Sequence, residues 1–61
     1  MDSKEILKRL KKEGWFLVHS KGSHQQWKHP NKPGRVTLPH PKKDLPIGTI
    51  KSIFIQAGWK K

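Results

Sequence analysis

Ile6, Leu7 and Leu10 fall on one side of a helical repeat, while Lys4, Lys8, Lys11 and Lys12 lie mostly round the other. That spacing predicts an amphipathic helix over about residues 3–13. Asp2 stands where an N-cap belongs, and Glu5, three residues on, completes a capping box. Glu5 and Arg9 at i,i+4 add slight support. Gly14 suits the left-handed residue that closes a helix. The pattern then changes. Trp15 to Ser20 is rich in aromatic and branched residues, as a strand should be. Lys21-Gly22 reads as a turn and Gln25 to His29 as a weaker strand. Pro30 to Gly34 reads as a loop, because proline cannot donate to a ladder. Arg35-Val36-Thr37-Leu38 alternates polar and apolar like a half-buried strand. After a basic connection from Pro39 to Lys43, a last helix is expected from Asp44 or a nearby residue, with Pro46 in its first turn. Ile47, Ile50, Ile53, Phe54 and Ala57 form its stripe, and Gly58 ends it.

Short links between three strands favour an antiparallel meander. Two amphipathic helices can cover one face of that sheet. The expected architecture is α+β: a two-layer α-β-β-β-α domain, with a three-stranded antiparallel sheet and both helices on one face. One domain spanning residues 1–61 is expected. A chain of 61 residues buries only about 60% of the surface its unfolded form exposes. With 31% apolar residues there is material for one small core. Cysteine is absent, which excludes disulfides and thiolate metal sites. No apolar run approaches the roughly 20 residues that span a bilayer. Met1 to Leu10 lacks the apolar segment of a signal peptide. A soluble cytoplasmic protein with no membrane partner is expected.

Charge narrows the partner. Fourteen Lys and Arg oppose four acids, for a formal net charge of +10. Such a field attracts polyanions: nucleic acid first, an anionic membrane second, an acidic protein third. It speaks to association and not to fold.

Strand alternation then singles out one imidazole. Trp27 is the large apolar residue of the second strand and should face the core. His24, three positions away, should face the other way with Gln26 and Lys28. RNA carries its own nucleophile, the 2′-hydroxyl. An enzyme need only remove that proton, steady charge on phosphorus and protonate the leaving 5′-oxygen. An ordinary histidine, with a pKa of about 6.5, can perform either transfer. Such help is typically worth about 10²- to 10⁴-fold. Lys21 and Lys28 could hold the phosphate. No metal and no cofactor is required, and the sequence has no acidic cluster for Mg²⁺. Against this, a surface histidine is most often simply polar, and the chain has four. His29 and His40 precede prolines and are expected to shape loops. His19, inside the apolar strand, is expected to be partly buried. The histidine spacing matches no zinc motif. Trp15, Phe16, Trp27 and Phe54 are assigned to the core. Trp59 follows the last helix and is expected to be exposed, open to base stacking or a partner.

The motifs Gly14-Trp15, Lys21-Gly22-Ser23-His24, His29-Pro30, Val36-Thr37-Leu38-Pro39, Gly48-Thr49-Ile50 and Gln56-Ala57-Gly58 occur in this order over nearly the whole chain. Together they resemble the HicA-type toxins. The resemblance implies a fold like the double-stranded RNA-binding domain, and a ribosome-independent mRNA interferase that arrests translation. It implies that the functional histidine is that of Gly-Ser-His, which is His24, and that a HicB-type antitoxin masks this surface. Many relatives carry Arg-Gln before the glycine turn, where this chain has His19-Ser20. Gly22 serves first as the turn residue and second as a place where RNA backbone could approach closely. Ser23 serves first as a strand start and second as a phosphate contact. The fold analogy also points to Lys4, Lys8 and Lys11 on the first helix, which read equally well as a solvated face, to Lys21, to Lys42 and Lys43, and to Lys51. Lys42-Lys43 is read as phosphate-binding, near the positive end of the last helix. Three readings remain: a metal-independent endoribonuclease acting through His24, a non-catalytic RNA-binding module, and a basic protein that binds an acidic partner. The third is compatible with the first.

Overall fold

The computed structural model describes residues 1–60. Its elements run α1 (Ser3–Lys12), β1 (Phe16–Lys21), β2 (His24–His29), β3 (Lys32–Pro39) and α2 (Ile47–Gln56). The order helix, three strands, helix is the expected one, and the sheet is antiparallel with order β1-β2-β3.

Helix α1 starts on the anticipated box. Asp2 Oδ1 accepts from the Lys4 amide at 2.8 Å, and Glu5 Oε2 accepts from the Asp2 amide at 3.1 Å. These bonds satisfy amides that lack carbonyl partners within the helix. The helix stops at Glu13, followed by Gly14 at φ +93°. A Cβ on Gly14 would also lie 3.6 Å from His29 Nε2. Arg9 does not pair with Glu5 as the spacing suggested. It reaches forward to Glu13, with Nε 3.1 Å from Oε2.

One face of the sheet carries the core. Trp27 pairs with Val36 and Gln25 with Leu38, so these four side chains share a face. Ile6 and Leu10 from α1, and Ile53 and Ala57 from α2, pack over it. Trp15 and Leu45, from the connections, complete the cluster. Full burial of a side chain the size of Leu10 or Ile53 stabilises the fold by roughly 1.5–3 kcal/mol. Helix α2 also closes the β3 edge, where Gln56 Oε1 accepts from the Thr37 amide at 3.0 Å.

Three expectations change. Strand β3 begins at Lys32 rather than Arg35, so Pro33 and Gly34 lie inside it. An edge strand tolerates proline because one side of its backbone needs no ladder partner. Phe16 and Ile47, both assigned to apolar faces, are 48% and 74% exposed. The helices pack against β3, which leaves every residue of β1 exposed. Trp59 is half-buried: its ring lies 4.1 Å from the Arg9 guanidinium carbon and meets Phe54 edge-on at 5.1 Å.

Candidate active site

Cross-strand partners share a face, so the ladder shows what stands on the open side of the sheet. His24 pairs with Lys21 on β1 and with Pro39 on β3. Gln26 pairs with His19 and with Thr37, and Lys28 pairs with Phe16. All lie opposite the face that holds Trp27. His24 is exposed, as the alternation argument required. Both helices lie behind it.

The β1–β2 turn explains why His24 stands clear. Gly22 sits at φ +56°, and a Cβ built there would meet none of the described residues within 4 Å. Glycine is favoured by the backbone conformation, since no neighbour crowds the position. Ser23 is exposed, and its carbonyl accepts from the His40 amide at 2.6 Å. This bond joins the turn to the segment that leaves β3.

Around the turn lies an open concavity of about 460 Å³, lined by His19, Lys21, Gly22, Ser23, His24 and Gln26. Four of the anticipated site residues, Lys21, Gly22, Ser23 and His24, therefore come together. Lys28 does not line it. It lies on the same face, four residues further along β2. Lys42 and Lys43 are also outside it. Lys42 is tied by its backbone to the start of α1: its amide donates to Ser3 Oγ at 2.8 Å, and its carbonyl accepts from the Ser3 amide at 2.9 Å. Both lysine side chains are exposed.

Two residues of this face escaped the sequence reading. His19 is exposed and lines the concavity, against the expectation of partial burial. Arg35 donates from Nη1 to Gln26 Oε1 at 2.6 Å, which places a guanidinium beside a lining residue. Alternation within β3 could have found Arg35, because it precedes inward-facing Val36. No local signal could have found His19. The ladder pairs Leu17 with Trp27 and then His19 with Gln26, so Val18 is an extra residue, a bulge. Uninterrupted alternation would put His19 on the same face as Leu17, towards the helices. The bulge reverses the parity and turns His19 and Lys21 outward. Bulges re-aim side chains in this way and occur often beside active sites.

The other two histidines hold structure. His29 Nδ1 accepts from the Asn31 amide at 3.0 Å, so Nε2 carries the proton that it donates to the Glu13 carbonyl at 2.8 Å. His40 Nδ1 lies 2.8 Å from Ser3 Oγ. Both shape loops, as expected. Among the described residues no three His, Cys, Asp or Glu side chains gather into a group that could hold a metal ion. Within them, no helix is long and apolar enough to cross a membrane. The chemistry on display is two imidazoles, a lysine and an amide, on a cationic surface open to solvent.

No curated protein gives a significant match to the chain. A protein-family model does: the one described as the HicA toxin of bacterial toxin–antitoxin systems matches residues 3–59.

Proposed function

The chain belongs to the HicA toxin family of bacterial toxin–antitoxin systems, and from that premise we propose that it is an endoribonuclease that cleaves messenger RNA through His24 and so arrests translation. Membership of such a system implies an antitoxin partner. In this reading the antitoxin is of the HicB type and covers the His24 face, and the toxin acts in the cytoplasm as one domain.

The observation that carries the reading is the position of His24. It is exposed, on the helix-free face of the sheet, directly across from Lys21 and at the mouth of a glycine turn. A strand of RNA can lie on that face without meeting a helix. His24 acts as general acid or base on the ribose 2′-hydroxyl or the leaving 5′-oxygen. Lys21 offers a compact positive charge to the phosphate. Gly22 and Ser23 keep the approach open, while Lys28, Lys42 and Lys43 hold the strand on either side. The reaction needs no metal or other cofactor, because RNA supplies its own nucleophile.

The test is cleavage of a defined RNA by purified protein in EDTA, with the same sequence in DNA as control. The native chain is expected to cut the RNA and leave the DNA intact. His24→Ala is expected to abolish cutting with an unchanged circular dichroism spectrum. Undiminished cutting by His24→Ala would remove His24 from this role. RNA binding without any cutting by the native chain would favour a non-catalytic RNA-binding module.

A further inference from the structure

Cleavage by the 2′-hydroxyl requires two proton transfers, at oxygens on opposite sides of the phosphorus. One imidazole that must serve both has to move or exchange its proton between them. The concavity around the glycine turn holds a second imidazole. We propose that His19 is the partner of His24 in proton transfer, so that the two histidines form the acid–base pair of this site. The proposal rests on the ribonuclease reading of that face.

Three observations place the pair. His19 is the cross-strand partner of Gln26, and Gln26 is two residues from His24 on the same face. Positions related in this diagonal way lie roughly 7–8 Å apart, with their Cβ atoms somewhat closer. Two rings at that separation can flank one phosphodiester and reach it from both sides. His19 and His24 also line the same concavity, and both are exposed. Finally, His19 reaches this face only through the Val18 bulge, which breaks an otherwise regular ladder. The groups that face the two rings are Lys21, Gln26 and Arg35, with Lys28 further along the face. None of them is an acid, so the imidazoles are the groups of this face suited to proton transfer near neutral pH.

The step balances without a co-reactant. One neutral imidazole takes the 2′-proton as the 2′-oxygen bonds to phosphorus. The bond from phosphorus to the 5′-oxygen breaks, and the other ring, present as imidazolium, gives its proton to that oxygen. The products are a 2′,3′-cyclic phosphate and a free 5′-hydroxyl. Lys21 steadies the phosphoryl oxygens.

The experiment compares native protein, His19→Gln, His19→Asn and His24→Gln on one RNA, measuring kcat and KM across pH. Affinity for the uncleavable DNA of the same sequence serves as the binding control. The native profile is expected to be bell-shaped. Both His19 variants are expected to lose about a hundredfold or more in kcat, with KM and DNA affinity unchanged, and to lose one limb of the bell. If His24→Gln is impaired while both His19 variants stay within about threefold of native kcat, His19 has no such role and the ribonuclease reading stands. His19 is equally excluded if kcat falls but both limbs persist, or if the loss lies in KM alone. If the native protein cuts no RNA, or His24→Gln cuts as well as native, the reading and the proposal fall together.

Discussion

Trp59 donates its indole N–H to Glu13 Oε1 at 2.8 Å, joining the residues just beyond α2 to the end of α1. The same carboxylate receives Arg9 Nε at 3.1 Å on its other oxygen and has Lys32 Nζ at 3.9 Å. Its backbone carbonyl takes the His29 ring. Four segments thus meet on Glu13, in a chain with four acidic residues in all. The Trp59 hydrogen bond, the Arg9 hydrogen bond and the nearby positive charges of Arg9 and Lys32 hold its pKa below the ordinary 4.5, while partial burial works the other way.

Stability should therefore fall in acid partly through Glu13. A carboxyl with a lowered folded-state pKa stabilises the fold fully above its unfolded value. That contribution is lost as pH drops below about 4.5 and through the folded value. Thermal melts of native and Glu13→Gln protein from neutral pH to pH 3 should show a gap that narrows on acidification. A gap independent of pH would mean the ionised form contributes nothing.

Trp59→Phe keeps most of the ring and removes the N–H donor. We expect a loss of about 1 kcal/mol, that of an ordinary hydrogen bond and less than is usual for a bond to a charged group, because Glu13 is partly exposed. Urea titration would measure it. RNA cleavage should be unchanged, since Trp59 lies on the helix side and not on the His24 face.

Leu10→Ala empties the centre of the core, where Leu10 is completely buried. The expected cost is about 2–5 kcal/mol. That is a large share of what a small domain possesses. A native-like urea midpoint for this variant would contradict the central place of Leu10 in the packing.

Gln25 faces the core, and its buried side-chain oxygen has no hydrogen-bond partner among the described residues. Gln25→Met should remove that unpaired oxygen at similar length and stabilise the fold by about 1 kcal/mol. Differential scanning calorimetry would register the change as a higher melting temperature.

Lys42→Ala combined with Lys43→Ala tests whether the segment beyond β3 touches RNA. For every phosphate no longer neutralised, the steepness of log affinity against log salt should drop by about 0.7 for a single strand. An unaltered slope in the double variant would confine the RNA to the sheet face.

Much of this protein was legible in local spacing. The Asp2–Glu5 box, the Ile6–Leu10 stripe and Gly14 marked α1 to within a residue. Trp27 set the parity of β2, and that alone placed His24, Gln26 and Lys28 on the face away from the core. Each of these follows from the 3.6- and 2-residue periods of the backbone, which the sequence carries in full.

Folding in three dimensions decided which apolar residues found cover and where the parity breaks. Phe16 reads like Trp15 in sequence. Trp15 packs beneath the helices, whereas Phe16 pairs with Lys28 on the helix-free face and is exposed. His19 reads as an inward residue of an apolar strand and stands outward beside His24. The physical reason is that a bulge belongs to the pairing of two strands and not to either one. Leu17-Val18-His19 keeps its face only relative to Trp27 and Gln26, and that relation exists only once the strands have met.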